Sequence, residues 1–404
     1  MTRKKIIILT FLIITIARGN TPALDIGSVD IHGFISQGYL QTDKNNYLAD
    51  TEDGTFQFNE MGINFSTKLS KRLRVGMQFF ARDLGVEGND ELVQDWAFAD
   101  YRWQEWLGLR VGKVKLIHAL YSEAREMDML RTGVMLPQSV YNELWRDTLS
   151  TIKGIAAYGN VSLGKMGSLF YDVQWGTLDV KSDGGFAKAF EISLSDYGLK
   201  ITDMDMDDAC ILAARWNTPL RGLRAQAVWY EIKGLTLDGN LSVPVGENII
   251  STRMNYEAVS HDGYTFSLEY TWEDMILASE YTSNDFEGRW NWNLGQGWQP
   301  RPRLTSEGWY VSGSYQFTDW FTLGLCYSEF YPDKDDKDGK TKENDFEAWL
   351  KTTTLSTRFD INEYWTFKLE TNYNDGFGAY SPADNPDGLD QRWFLFAAKM
   401  TFSF

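Results

Sequence analysis

Apolar and polar residues alternate with a period of two along most of the chain, most clearly in its C-terminal half. In residues 264–272, 309–317 and 365–373, every second position is mostly aromatic or aliphatic, and the positions between carry mainly Thr, Ser, Gln, Glu, Lys or Asn. A period of two is that of a β-strand and not of a helix. Each stretch is close to the roughly 9–11 residues that a tilted strand needs to cross the hydrocarbon of a bilayer. The pattern therefore predicts an all-β protein.

The same alternation runs to the last residue of the chain. In residues 391–404, "QRWFLFAAKMTFSF", one face consists of Phe394, Phe396, Ala398, Met400, Phe402 and Phe404. The other face begins apolar and ends with Lys399, Thr401 and Ser403. Such a strand suits either a half-buried sheet of a soluble protein or a wall whose apolar face touches lipid, so the rest of the chain must decide between them.

The connections between the predicted strands alternate strictly between short and long. Short turns lie at residues 70–73, 105–108, 163–167, 218–222, 272–274, 318–320 and 361–364. Long, acidic connections cover residues 43–53, 83–92, 116–150, 179–205, 234–262, 285–306, 331–346 and 375–390. This sorting is typical of a transmembrane antiparallel β-barrel, with short periplasmic turns and long extracellular loops. It predicts about sixteen strands, with residues 249–260 assigned to the fifth loop rather than to a further strand.

The predicted sheet must close on itself, because an unpaired backbone N–H or C=O in hydrocarbon costs several kcal/mol. We therefore expect the C-terminal stretch to pair with the first strand, residues 29–42.

The N-terminus has the pattern of a secretory signal peptide. A basic segment, "MTRKK", precedes the apolar run "IIILTFLIITIA", and the small residues Ala17, Gly19 and Ala23 follow. We expect residues 1–23 to be the signal peptide and residues 24–404 to form one barrel domain. No later apolar run is long enough for a membrane-spanning helix.

Composition narrows the possible functions. The formal net charge is −17, which argues against nucleic acid as a partner. Aromatic residues reach 15%, which fits the aromatic girdles of a barrel and equally a soluble sugar-binding β-protein. Cys210 and Cys326 are predicted to lie on opposite faces of their strands, which favours two free thiols over a disulfide. The three histidines lack the spacing of zinc ligands, so we predict neither a metal site nor a cofactor.

Two segments resemble known outer-membrane proteins. The aromatic C-terminus with apolar residues at alternate positions resembles the terminal signature of Gram-negative outer-membrane barrels, in which it is the signal read by the barrel-insertion machinery; Phe402 and Phe404 occupy those positions. Residues 109–159 resemble a segment of trimeric porins of the phosphate-selective and dicarboxylate-channel group. The resemblance implies a homotrimer in the outer membrane, in contact with lipid and lipopolysaccharide. It also implies that the third loop, residues 116–150, folds into the barrel and narrows the pore.

The polar faces of the strands carry more cations than acids, although the whole chain is acidic. Fixed positive charges in a narrow passage favour anions. The candidate constriction residues are Arg74, Arg82, Arg102 and Arg110 on early strands, Lys113 and Lys115 turned inward by a bulge at Gly112, and Glu123, Arg125, Glu126, Asp128, Arg131 and Arg146 in the third loop. The sequence thus predicts a porin that passes small anionic solutes such as carboxylates or phosphate.

Four alternatives stay open from the sequence. The arginines can instead pair with carboxylates and hold the third loop against the wall, or the channel can be a non-selective general porin. An outer-membrane enzyme would need a pair such as His118 and Ser122, which is weak support for catalysis, and we predict no catalytic residue. A soluble carbohydrate-binding protein would use Trp290, Trp292 and Trp298, but it leaves the sorted loops and the terminal Phe404 unexplained.

Overall fold

The computed structural model describes residues 28–85, 88–194, 197–245, 248–378, 385 and 388–404; the predicted signal peptide lies outside them. The strands are β1 (Asp30–Thr42), β2 (Phe58–Lys68), β3 (Leu73–Leu84), β4 (Val93–Gln104), β5 (Leu107–Lys115), β6 (Thr151–Ser162), β7 (Ser168–Leu178), β8 (Lys200–Asp205), β9 (Asp208–Asn217), β10 (Leu223–Lys233), β11 (Thr236–Val245), β12 (Asn248–Trp272), β13 (Met275–Asn291), β14 (Gln299–Thr318), β15 (Phe321–Tyr331), β16 (Leu350–Asp360), β17 (Trp365–Gly376) and β18 (Arg392–Ser403). One α-helix, α1 (Gly185–Ser193), lies between β7 and β8. Within the described residues, no helix is long and apolar enough to cross a membrane.

Sixteen of these strands form a closed antiparallel barrel, as the sequence predicts. Each barrel strand pairs with the next along the chain, except that β7 pairs with β9 and β10 pairs with β12. The barrel closes between β1 and β18, whose register runs from Phe34 opposite Ser403 to Thr42 opposite Leu395. Short turns join the strands at one end of the barrel and long connections join them at the other, which confirms the predicted sorting.

The two remaining strands, β8 and β11, extend the sheet beyond the barrel. β11 pairs with the first part of β12, from Thr236 opposite Glu257 to Val245 opposite Asn248, and β8 pairs with β11. On the other side of β12, the same part of the strand pairs with the end of β13, where Asn255 lies opposite Asn291.

The assignment of residues 249–260 to a loop is therefore wrong, because they form the first half of the long strand β12. The physical reason is that β11 and β13 supply backbone hydrogen bonds on both sides, so the strand continues after it leaves the barrel. The stretch adds no strand to the barrel itself. The predicted fourth and sixth loops are likewise shorter than expected, since α1 and β8 occupy much of the fourth, and β13 and β14 extend into the sixth.

The outer surface of the barrel is apolar and its inner surface carries most of the charged groups. On β17 and β18, Leu369 and Phe396 are 43% and 46% exposed, whereas Lys368 and Lys399 are each 1% exposed. The faces of the C-terminal strand are therefore those that the alternation predicts. An apolar outer band on a closed sheet is the arrangement that hydrocarbon requires.

Part of the interior departs from the polar lining that alternation predicts. Near the long-loop end, the inward faces of β6, β7, β9 and β10 are apolar and pack against α1 and the start of the third loop. Buried members of this cluster include Leu116, Ile117, Ile152, Leu178, Phe186, Ile211, Val228 and Ile232. Water-filled space is therefore confined to the rest of the interior.

Both cysteines are free. Cys210 lies opposite Trp175, which is 54% exposed on the outer surface, whereas Cys326 lies opposite Ser312 and Thr354 on the inner surface. The prediction of free thiols on opposite faces is confirmed.

Candidate functional site

The third loop, residues 116–150 and called L3 below, folds into the barrel and crosses its interior. Carboxylates on the far wall hold its backbone: the Leu120 N–H donates to Glu280 at 2.8 Å, and the Val134 N–H donates to Glu370 at 2.7 Å. Gly308 on β14 allows the backbone of L3 to lie close to the wall, because a Cβ atom at this position would be 1.9 Å from the Ser139 carbonyl oxygen. The predicted entry of this loop into the lumen is confirmed.

Glu280 on β13 is one of the two main anchors of L3. Its carboxylate is buried and accepts hydrogen bonds from the Leu120 N–H, from the Tyr141 hydroxyl, from the Ser267 hydroxyl at 2.5 Å and from the Tyr310 hydroxyl at 2.8 Å. A buried carboxylate requires such a full set of donors, since an unsatisfied buried charge is strongly unfavourable. This cluster ties the first part of L3 to β12, β13 and β14.

Asp128 is the second anchor and ties the middle of L3 to the strands that close the barrel. Its carboxylate lies 2.9 Å from the Lys399 Nζ and 3.5 Å from the Lys368 Nζ, and it accepts a hydrogen bond from the Thr401 hydroxyl at 2.7 Å. Arg131 adds an ion pair at 2.9 Å from within the loop. Lys368 and Lys399 lie directly opposite each other on β17 and β18, so the buried carboxylate also offsets the repulsion between two lysines.

A third group of ion pairs holds the return of L3 against β3 and β5. Arg82 contacts Glu143 at 3.0 Å and Asp147 at 3.2 Å, and Arg125 contacts Glu143 at 2.9 Å. Arg146 contacts Glu126 at 3.2 Å, while Lys115 donates to Glu126 at 2.7 Å. Arg82, Arg125, Glu126 and Arg146 are all buried. These predicted constriction residues are therefore paired within L3 or between L3 and the wall, which is the arrangement that the alternative from the sequence describes.

The pKa values of the loop carboxyls reflect this pairing. Burial raises the pKa of Glu143, but Arg125 and Arg82 outweigh it and lower the pKa to about 2. Burial likewise opposes Lys115 and Arg146 at Glu126, whose pKa is lowered to about 2. Asp128 has a pKa well below its ordinary value, because Lys368 and Lys399 outweigh the effect of its burial.

We expect these shifts to keep the ion pairs of Glu126 and Glu143 intact until strongly acidic conditions. A carboxyl whose folded pKa is depressed stabilises the folded state fully above its unfolded pKa, near 4, and loses that contribution as the pH falls towards its folded pKa, here about 2. Single-channel conductance should therefore rise between about pH 4 and 2, as these ion pairs are lost and L3 loosens. Unchanged conductance over that range would contradict this assignment.

A different group of arginines lies on the inner wall near the short-turn end. Its members come from β3, β4, β5, β9 and β10, namely Arg74, Arg102, Arg110, Arg215 and Arg224. Four carboxylates lie among them: Asp100, Glu123, Asp172 and Glu269. Most contacts in this group are long, such as the 3.6 Å between Arg74 and Asp100 and the 3.7 Å between Arg110 and Asp172.

Arg74 and Arg102 are the most accessible members of this group. The Arg74 side chain is 49% exposed despite its contact with Asp100. Arg102 is exposed and lies 5.8 Å from the centre of the Tyr158 ring, and it pairs with no carboxylate among the described residues. Arg110 is more enclosed, with its guanidinium 4.2 Å from the same ring. Of the arginines in this group, Arg74 and Arg102 are thus the most accessible.

Lys113 does not lie among the arginines of the inner wall. The pairings of β5 with β4 and β6 keep their register through Gly112, so the bulge expected there is absent. The Lys113 Nζ donates to the Gln94 carbonyl at 2.7 Å and to Asp179 at 3.1 Å, at the start of the fourth loop. The structure therefore separates Lys113 from the arginines of the inner wall.

His118 and Ser122 do not form a catalytic pair. The Ser122 hydroxyl donates to the Ala119 carbonyl at 2.7 Å and accepts from the His118 backbone N–H at 3.2 Å. Neither nitrogen of the buried His118 ring has a hydrogen-bond partner among the described residues. Burial and the nearby Arg125 lower the pKa of His118 to about 3, so the ring is neutral at physiological pH.

An open space lies between L3 and the wall formed by β14, β15, β16 and β17. The residues of its polar lining are not among the site residues predicted from the sequence. Residues at alternate positions of these strands line it, including Ser312, Ser328, Thr352, Thr354, Asn372 and Asn374. The signal was present in the polar positions of the C-terminal strands, but small uncharged side chains do not stand out in a search for charged constriction residues.

No known protein-family model matches the chain, and no curated protein sequence is similar to it. Solved structures match its fold over almost its whole length. OmpF of Salmonella typhi, in complex with daunomycin, aligns with a TM-score of 0.56 and 12% identity, covering 93% of this chain and 97% of that one. The outer membrane channel DcaP of Acinetobacter baumannii aligns with a TM-score of 0.53 and 11% identity, covering 93% and 97%. An anion-selective porin from Comamonas acidovorans gives 0.53 and 11%, covering 93% and 99%.

Proposed function

We propose that this chain is an outer-membrane porin through which small hydrophilic solutes diffuse passively. The observation that carries the proposal is that L3 narrows the interior of a closed barrel without filling it, since an open space remains beside the loop. The apolar outer surface supports a place in lipid, and the similarity of fold to OmpF, DcaP and the anion-selective porin agrees with it. The contacts of His118 and Ser122 give no support to a function as an outer-membrane enzyme.

We further propose that the pore favours anions. The supporting feature is the arginine group on the inner wall, in which five cations face four carboxylates and Arg102 has no carboxylate partner among the described residues. Fixed positive charge in a passage with low-dielectric walls lowers the barrier for anions and raises it for cations. The other predicted cations contribute less, since Arg82, Arg125 and Arg146 are buried and paired.

Export and assembly belong to the same proposal. Residues 1–23 direct export, residues 24–404 form the barrel domain, and Phe402 and Phe404 present the insertion signal to the barrel-insertion machinery. Phe404 is 50% exposed on the outer surface at the end of β18, where such a signal is accessible. By resemblance of residues 109–159 to trimeric porins, the assembled form is a homotrimer within lipid and lipopolysaccharide.

The anion preference is tested by the reversal potential of the channel in a salt gradient. The wild type should show the sign for anions, and the double variant Arg74→Gln and Arg102→Gln should move the potential towards zero, because the two most accessible positive charges are lost. Arg253→Gln is the matched control, since Arg253 is exposed on the part of β12 that extends beyond the barrel. A cation-preferring wild type, or a double variant that behaves as its parent, would contradict the proposed filter.

A further inference from the structure

The open space beside L3 has a lining of hydroxyl and amide groups. Its wall uses three alternate positions on each of β16 and β17, from Thr352 to Ser356 and from Glu370 to Asn374, which span about 13 Å of strand at roughly 3.3 Å per residue. The inward positions of β14 and β15 add hydroxyls, such as those of Ser312 and Ser328. The space is therefore an elongated groove along the wall and not an isolated hole.

The charged groups of this groove are already engaged. Glu370 accepts from the Val134 N–H at 2.7 Å and from the Asn372 side chain at 3.0 Å, and it is buried. Arg131 contacts Asp128 at 2.9 Å and donates to the Val134 carbonyl at 3.1 Å. Both charges serve the docking of L3, so the groove offers a solute mainly uncharged hydrogen-bonding groups.

Several of these groups have unused hydrogen-bonding capacity. The Thr352 hydroxyl donates to the Asn374 side-chain oxygen at 2.7 Å, and the Thr354 hydroxyl donates to the Asn372 oxygen at 2.5 Å. Each hydroxyl oxygen can still accept a hydrogen bond. The Asn374 side-chain nitrogen has no partner among the described residues although the residue is only 3% exposed. Donors and acceptors thus repeat along neighbouring strands that lie about 4.8 Å apart.

We infer that this groove is a binding and passage site for small polyhydroxylated solutes, an inference that rests on the proposed porin function. A solute with several hydroxyls both donates and accepts, so it can replace its hydration water by successive contacts with the Thr and Asn side chains of β16 and β17. A solute without hydrogen-bonding groups makes no such set of contacts. Neutral sugars and sugar acids share this chemistry, and the arginines of the inner wall would add a preference for the acid.

The test compares glucose and gluconate, which have similar size and hydroxyl content but differ in charge, in proteoliposome swelling. In the double variant Thr352→Val and Thr354→Val, both rates should fall about three- to tenfold, the effect of one or two lost hydrogen bonds, while KCl conductance stays within about twofold of the wild type. Valine keeps the β-branched shape, so β16 should still form. Thr353→Val with Thr357→Val is the matched control, because these positions alternate with the inward ones on the same strand.

The outcomes separate the two proposals. Solute rates that are unchanged, or that fall only in parallel with KCl conductance, overturn the groove assignment while leaving a functional porin. A wild type without KCl conductance overturns the porin itself. If gluconate enters through the wild type faster than glucose, the preferred solute is a sugar acid. If glucose enters faster, the preferred solute is a neutral sugar.

A second measurement requires no change to the groove. Cys326 lines it, whereas Cys210 lies on the outer surface, so a Cys210→Ser protein carries a single reporter thiol. Glucose should slow the modification of Cys326 by a small uncharged thiol reagent, because a bound sugar covers the thiol. An equal rate with and without saturating glucose overturns the inference.

Discussion

Replacing residues 122–144 of L3 by a Gly-Ser linker of about ten residues is expected to raise the single-channel conductance several-fold and to remove most solute discrimination. These residues cross the interior and carry Asp128, Tyr141 and Glu143, which fasten the loop to the wall. The barrel strands should survive the excision, because each is hydrogen-bonded to two neighbouring strands without help from the loop. The wall carboxylates and lysines that L3 covers would then face water, where a charge is well tolerated.

Planar-bilayer recordings of the excised protein check this expectation. The control removes residues 333–342 from the acidic loop between β15 and β16, which leaves L3 in place and should change conductance by less than about twofold. If the L3 excision left conductance at the wild-type level while the protein still migrated as a folded barrel, L3 would not be the constriction.

Deleting Phe404 is expected to reduce the amount of barrel in the outer membrane about tenfold or more in cells. The aromatic terminus is the feature by which the chain resembles substrates of the barrel-insertion machinery, and its ring is exposed on the outer surface. The same deletion should hardly affect folding in detergent from the purified, denatured chain. Besides the contact between the Phe402 and Phe404 rings, it removes only the two backbone hydrogen bonds of 3.0 Å between Phe404 and Gly33, while the rest of the β1–β18 pairing remains.

Comparing the two assays separates an effect on recognition by the insertion machinery from an effect on the stability of the barrel. Heat-modifiable migration on a gel measures the folded fraction in each. Phe394→Ser is the matched control, since it removes an exposed outward aromatic from the same strand without touching the terminus. Normal amounts of the Phe404-deleted protein in the outer membrane would show that the terminal residue is not the signal.

The barrel could be predicted from the sequence because its determinants are local. A period of two identifies a strand within about ten residues, and the sorting of short and long connections gives direction and approximate number. The β12 extension was not predicted because its pairing depends on β11 and on the outer end of β13, which themselves lie within predicted loops. The apolar part of the interior was not predicted either. Ile211 and Val228 face inward, and alternation alone cannot distinguish an apolar face that contacts lipid from one that packs against α1.

The candidate site was predicted less completely because its contacts join distant parts of the chain. Lys399 and Asp128 form an ion pair although they lie far apart in the sequence. The hydrogen bond from the Val134 N–H to Glu370 likewise joins distant parts of the chain. The sequence placed Arg82 on the inner face but could not show that Glu143 and Asp147 would enclose it. Whether an arginine faces water or a carboxylate depends on the path of L3, which no local pattern encodes.

Single-channel recording of the purified wild-type protein in a planar bilayer tests the central claim most directly. The claim is that the apolar outer faces contact lipid while L3 leaves a water-filled passage inside. We expect stepwise, nearly ohmic currents in KCl at neutral pH, with a reversal potential in a salt gradient that has the sign for anions. Folded, heat-modifiable protein that inserts without current steps would contradict it.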